Sequence, residues 1–246
     1  TAVDSITTGD YNVGLGLNAL TATTEGSRNI AIGAFALVAN TTGNKNSVLG
    51  MSAMETNSTG ANNVAVGWEA MKRNTTASNN TAVGYASLGA NTTGTDNAAF
   101  GHNALVSNTT GVSNTGIGRA AVNSTTTGSY NTGVGHIALN ANSTGANNTA
   151  VGYSALKENT TGAHNSALGY QALVTNTTGG FNIATGGAAL QLNTTGANNT
   201  ASGYGSLYSN TTASNNSAFG YKSLFSNTTG ANNVAIGSLT LDAATT

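Results

Sequence analysis

Carboxylates are the first place to look for chemistry, because a pair at the right separation can act as general acid and base. The chain holds Asp4, Asp10, Glu25, Glu55, Glu69, Asp96, Glu158 and Asp242. They fall at different phases of a repeating pattern, so stacking the repeats does not bring them into catalytic pairs. His102 and His136 share a phase but stand two repeats apart. At the spacing of stacked strands that is roughly 9–10 Å, too far for one metal in one chain. Two surface histidines are the plainer reading; the other is a meeting of three copies on a threefold axis. There is no cysteine, hence no disulfide and no thiolate metal site. The periodic Asp of calcium-binding Gly-rich rolls is also missing. No nucleophile, base or metal constellation converges. The sequence therefore points away from an enzyme and calls for no cofactor.

Two periodic sets remain that could bind something. Trp68, Tyr85, His102, His136, Tyr153, Tyr170, Tyr204 and Tyr221 share one phase. Such a stripe suits stacking of sugar rings or bases. The plainer reading is packing between subunits, and a patch this continuous favours it. The other set is the triplet Asn-Thr-Thr, at Asn40, Asn74, Asn91, Asn108, Asn159, Asn176, Asn193, Asn210 and Asn227, with Ser in the middle at Asn57 and Asn142. Each is formally an N-glycosylation acceptor. Each is equally good turn chemistry, with Asn and Thr bonding the local backbone. A third reading is ice binding, with Asn and the second Thr on one face. Its ladder would be Thr42, Thr59, Thr76, Thr93, Thr110, Thr127, Thr144, Thr161, Thr178, Thr195, Thr212 and Thr229.

What must position these side chains is a repeat of fixed length. Every seventeenth residue from Gly16 to Gly237 is glycine, without insertion or deletion. Four residues before each glycine sits an asparagine: Asn12, Asn29, Asn46, Asn63, Asn80, Asn97, Asn114, Asn131, Asn148, Asn165, Asn182, Asn199, Asn216 and Asn233. Four residues after each sits an apolar side chain, from Leu20 to Leu241. A period that never slips is the mark of a stacked repeat array, read here as one array over residues 1–246. The abundance of Thr, Asn and Gly argues against helix. Strand alternation fits Asn148-Thr149-Ala150-Val151-Gly152, whose first, third and fifth residues share one face. Those positions are uniformly small or Asn across the repeats, Val48 apart, which marks the crowded inner side. A second short strand is predicted at the Ala-Leu pair, as in Ala155-Leu156, with Leu filling the core. Asn-Thr-Thr-Gly then turns the chain, its Gly supplying positive φ.

The fold expected is all-β: a parallel β-solenoid or β-roll of 17-residue coils. Stacked coils would place the asparagines about 4.8 Å apart as an internal amide ladder. The rod would be roughly 65–70 Å long. On the variable outer side, Val66, Val83, Phe100, Ile117, Val134, Val151, Leu168, Phe219 and Ile236 form a row, flanked by Tyr85, Tyr153, Tyr170 and Tyr221. Thr185 and Ser202 interrupt it. This row is the expected contact between copies of the chain. Both ends read as uncapped coils, which implies a segment of a longer chain or ends covered by other subunits, including end-to-end filaments.

Only 6% of residues are charged and the formal net charge is −1. That argues against a nucleic-acid partner, which requires a basic stripe, and against a polybasic membrane surface site. No apolar run has the length of a spanning helix.

Asn29-Ile30-Ala31-Ile32-Gly33, Asn63-Val64-Ala65-Val66-Gly67 and Asn233-Val234-Ala235-Ile236-Gly237 resemble the head repeat of trimeric autotransporter adhesins, Asn-Ser-Val-Ala-Ile-Gly. Asn46-Ser47-Val48-Leu49-Gly50 and Asn165-Ser166-Ala167-Leu168-Gly169 are near variants, and phage tail-fibre proteins carry the same type of repeat. The match covers five residues in each of fourteen coils. The strict 17-residue spacing and the Asn-Thr-Thr-Gly turn depart from the usual adhesin pattern, and no stalk or membrane anchor accompanies them. The resemblance implies a β-roll with three chains side by side, in a non-catalytic fibre or adhesin segment at a cell surface or on a virion, with a host-surface glycan or protein as partner. The alternative is an ice- or carbohydrate-binding solenoid acting as a monomer.

Overall fold

A computed structural model describes residues 5–242. The chain divides into two compact units, Thr1–Thr127 and Gly128–Thr246, built from the same coil. The first unit holds β1 (Val13–Leu15), β2 (Ile30–Ile32), β3 (Ser47–Leu49), β4 (Val64–Val66), β5 (Thr81–Val83), β6 (Ala98–Phe100) and β7 (Thr115–Ile117). The second holds β8 (Thr132–Val134), β9 (Thr149–Val151), β10 (Ser166–Leu168), β11 (Ile183–Thr185), β12 (Thr200–Ser202), β13 (Ser217–Phe219) and β14 (Val234–Ile236). No helix occurs among the described residues.

Within the first unit each strand pairs in parallel with the next, from Val13 opposite Ile30 to Phe100 opposite Ile117. The second unit repeats the register from Thr132 opposite Thr149 to Phe219 opposite Ile236. Each unit is therefore a parallel β-solenoid with one coil per 17 residues, as the period requires. Each strand is three residues long, and its middle residue is buried wherever the strand has a coil on both sides. That residue is Ala, Gly or Val because the core of so thin a coil is filled by one long side chain. Leu37, Met54, Leu88, Leu156, Leu173 and Leu224 are among these, each with no exposed surface.

The expected second strand at the Ala-Leu pair does not form. Ala155 and Leu156 are consecutive and both fully buried. An extended strand sends neighbours to opposite faces, so two adjacent inward side chains demand a bend. The chain supplies it with tight turns in which Ser154 (φ 55°) and Leu156 (φ 51°) are left-handed. That conformation costs a bulky residue about 1–2 kcal/mol, and burying a leucine stabilises by roughly 1.5–3 kcal/mol, so burial wins. Bonding between coils survives the bend: Ser154 N–H donates to His136 O at 3.1 Å and Leu156 N–H to Ala172 O at 2.9 Å.

The triplet glycine also differs from expectation. Gly162 has no positive φ; that conformation falls on the residue before each ladder asparagine, such as Asn147 (φ 59°) and His164 (φ 60°). Gly162 is small for another reason. A Cβ there would collide with Asn159 Oδ1 and Gly179 O, and would sit 3.0 Å from Asn176 Nδ2. By contrast Gly152, in the periodic glycine series, is held at φ 136° with the next coil's Gly169 carbonyl carbon 2.7 Å from any added Cβ.

Candidate functional site

Inside each coil the asparagines do structural chemistry. In the first unit Asn29, Asn46, Asn63, Asn80, Asn97 and Asn114 are buried and Asn12 is half-buried. In the second Asn131, Asn148, Asn165, Asn182, Asn199 and Asn216 are buried and Asn233 is half-buried. Asn46 donates twice to Asn29 Oδ1, from its backbone N–H at 3.0 Å and from Nδ2 at 3.1 Å. The second Nδ2 proton goes to Gly60 O at 2.9 Å. Asn46 Oδ1 accepts from Asn63 N–H at 3.0 Å and Asn63 Nδ2 at 3.1 Å, so every polar atom of the amide is used, which is what burial of an amide demands.

A second ladder runs beside the first, and the sequence reading missed it. Asn74 Nδ2 donates to Asn57 Oδ1 at 2.7 Å, and Asn176 Nδ2 to Asn159 Oδ1 at 2.8 Å. These are the triplet asparagines. The ladders meet at the triplet glycine, whose carbonyl accepts from both: Gly60 O from Asn46 and Asn57 (3.1 Å), Gly179 O from Asn165 (2.9 Å) and Asn176 (2.9 Å). Recurrence of Asn at one buried phase was the available signal, masked by the local turn chemistry the same triplet satisfies. The glycosylation reading is overturned for the folded coil: Asn40, Asn57, Asn74, Asn91, Asn108, Asn142, Asn159, Asn176, Asn193, Asn210 and Asn227 are fully buried.

Thr replaces Asn in the second ladder of the first unit at Thr23 and Thr125. At Thr23 a defect appears, because its Oγ1 is buried without a hydrogen-bond partner. Thr23→Asn restores an acceptor for Asn40 Nδ2 and a donor for Gly26 O. We expect stabilisation of about 1–2 kcal/mol from removing the orphaned hydroxyl. The check is thermal melting, with a rise of a few degrees expected.

The ice-binding face does not assemble as expected. Thr42, Thr59, Thr76, Thr93, Thr110 and Thr127 in the first unit are exposed, as are Thr144, Thr161, Thr178, Thr195, Thr212 and Thr229 in the second. The asparagine two residues earlier points inward, so Asn and Thr do not share a face. The intervening Thr is half-buried in most coils and bonds the next one, as Thr75 Oγ1 donates to Thr92 O at 3.0 Å.

Outside, each strand shows its first and third side chains. In the first unit Val66 and Val83 are half-buried and Phe100 and Ile117 exposed. Leu15, Ile32 and Leu49 extend the same row in direct register. In the second unit Val134 and Val151 are half-buried, and Leu168, Phe219 and Ile236 exposed. Thr185 and Ser202 interrupt there. Tyr85, Tyr153, Tyr170 and Tyr221 are exposed beside the row, and the aromatics stack from coil to coil. Tyr85 lies over His102 at 5.0 Å, Tyr153 over Tyr170 at 5.4 Å, and Tyr204 over Tyr221 at 5.9 Å between centroids. Trp68 meets Tyr85 edge-on at 5.5 Å.

Charged groups are few. Asp4 lies outside the described residues. Glu55 and Glu69 are drawn together only through Lys72, whose Nζ is 2.7 Å from Glu69 and 3.9 Å from Glu55. The hydrogen bond to Glu69 raises the Lys72 pKa. Its stabilisation is thus present below the ordinary lysine pKa and lost as pH rises through the raised value. No cluster of three metal-ligating side chains occurs among the described residues. No helix among them is long and apolar enough to cross a membrane.

Internal amide ladders, single-leucine cores and a patterned outer face define a parallel β-solenoid repeat protein. No family model, curated protein or solved structure matches the chain.

Proposed function

We propose that the chain is a non-catalytic structural segment of an extracellular or virion fibre or adhesin, and that its outward row packs against further copies of itself, three side by side. The observation that carries this reading is the row itself. Leu15, Leu49, Phe100 and Ile117 stand exposed in the first unit, in register with half-buried Ile32, Val66 and Val83. Soluble monomers rarely leave a contiguous apolar patch beyond a few hundred Å² uncovered. A row with one side chain per coil is best matched by a surface of the same period, and the same row on another copy is such a surface. The resemblance of the Asn-x-Ala-x-Gly strands to trimeric adhesin heads supports three copies. Light scattering on the intact chain is the test: a mass of three chains is expected, and a single-chain mass overturns the reading.

A second reading rests on the exposed threonines, one per coil on a fixed spacing. Such a column orders water and suits ice binding by a monomer. Thr161→Lys with Thr178→Lys would then abolish thermal hysteresis while leaving the fold intact. Absence of hysteresis in concentrated wild-type protein sinks this alternative.

A further inference from the structure

Repeat proteins reveal special positions by departure from their own pattern, since the framework needs only the shared residues. One corner of the first unit departs in its charge. The residue before each ladder asparagine is left-handed, and this phase holds Asn at Asn62, Asn79, Asn147, Asn198, Asn215 and Asn232. In two successive coils it holds Arg28 (φ 60°) and Lys45 (φ 57°) instead. Their backbone N–H groups donate to Asp10 O at 2.8 Å and to Ser27 O at 2.9 Å, which keeps the two residues in register. A coil spacing of about 4.8 Å then sets two cations side by side, and like charges opposed on neighbouring strands are destabilising. Lys72 and Lys157 each have a carboxylate partner. Among the described residues Arg28 and Lys45 have none. Since Asn serves the coil at this phase, the paired cations are not there for the framework.

We propose that Arg28, Lys45 and Asn62 bind a tetrahedral oxyanion ester, a sulfate or phosphate group on a small neutral carrier. A groove of about 280 Å³ lies at this corner, lined by Ser27, Arg28, Asn44, Lys45, Ala61 and Asn62. That is near the lower end of ligand clefts. The lining carries two cations and no carboxylate. Glu25, in the same coil as Arg28, and Asp10, one coil earlier, neither line the groove nor pair with either cation. The floor is fixed by its own bonds. Asn44 Oδ1 accepts from Ser27 N–H at 2.7 Å, Asn44 Nδ2 donates to Thr42 O at 2.9 Å, and Ser27 Oγ accepts from Asp10 N–H at 3.0 Å. The Arg28, Lys45 and Asn62 side chains are exposed, and their donors are left for a ligand. The guanidinium presents a fork to two oxygens and the ammonium a point charge to a third. A carboxylate has two oxygens, which the Arg28 fork alone satisfies, so the second cation favours a group with three. A polyanion backbone would need the column to continue, but the next residues at this phase are Asn62, Asn79 and Asp96. No residue of the groove belongs to the outward row, so the site does not depend on how copies of the chain assemble.

The test is calorimetric titration of the full chain with glucose 6-sulfate, glucose 6-phosphate and glucose, with amide chemical shifts mapping where each acts. At least one ester is expected to bind and glucose is not; the tighter ester identifies the group. Arg28→Gln and Lys45→Gln should each weaken that binding about tenfold, the loss of one charge-assisted hydrogen bond. Asn62→Lys, which adds a third cation to the column, should tighten it. Lys157→Gln, which removes a lysine paired with Glu158, should change nothing. Circular dichroism and melting establish that each variant is folded; melting of the two Gln variants should not fall, since each removes one of two repelling charges. Failure of both esters to bind at millimolar concentration overturns the proposal. So does binding that Lys45→Gln leaves unaltered in a folded variant, or binding whose shifts centre on another part of the coil.

Discussion

Asn148→Leu is expected to destabilise its unit by roughly 2–6 kcal/mol, summing one orphaned amide and one overfilled site. Asn148 accepts from Asn165 N–H at 3.0 Å and from Asn165 Nδ2 at 3.2 Å. It donates to Gly162 O at 2.8 Å and to Asn131 Oδ1 at 3.2 Å. Leucine removes all of these at once. Gly162 O keeps Asn159 Nδ2, and Asn165 Nδ2 keeps Gly179 O, both at 2.9 Å. The Asn165 backbone N–H keeps nothing and is buried away from water, which makes its loss the larger electrical cost. The branched side chain must also fit beside Ala150 and Leu156, where neither residue exposes any surface. Urea unfolding measures the total. Hydrogen exchange locates it, with the Asn165 amide losing protection first. An unchanged unfolding midpoint would mean that Asn148 lies outside the load of the coil.

The period, the strand motif and the inward asparagines could be read in the sequence because they repeat in strict phase. Repeats in one chain serve as mutual controls: Asn, Ala and Gly at constant positions separate from Val, Thr, Ile and Phe at variable ones. The bend at Ser154 and Leu156 was less accessible. Ala155-Leu156 looks like any apolar dipeptide until both side chains are required to face one narrow core. The second ladder was hidden for a different reason. Asn159 has a sufficient local explanation in its turn, and its true partner, Asn142, is 17 residues away and meets it only after stacking.

In the proposed assembly, changing Val134 and Val151 together to Asp is expected to release single chains. The two valines are partners in register on β8 and β9, and Val151 is followed by Leu168 on β10. In an isolated chain both face outward and are only half-buried, so carboxylates there remain hydrated. The intrinsic penalty is then the loss of β-branched residues from a strand, up to about 1 kcal/mol each, plus mutual repulsion of adjacent like charges. In an assembly the same carboxylates would be stripped of water and set against their copies. Burying an unpaired charge costs several kcal/mol, multiplied by every chain at the contact. The second effect exceeds the first, so dissociation should precede unfolding. Val134→Thr with Val151→Thr is the matched control. The chain itself places Thr185 in this row, and threonine keeps the branched strand geometry while removing one methyl's worth of apolar contact. It should weaken the assembly without abolishing it. Light scattering across a dilution series separates the outcomes: single chains for the Asp pair, a raised dissociation constant for the Thr pair. An Asp pair that keeps the wild-type mass and melting temperature would show that the row stays in water, and self-association would have to be sought on another face of the coil.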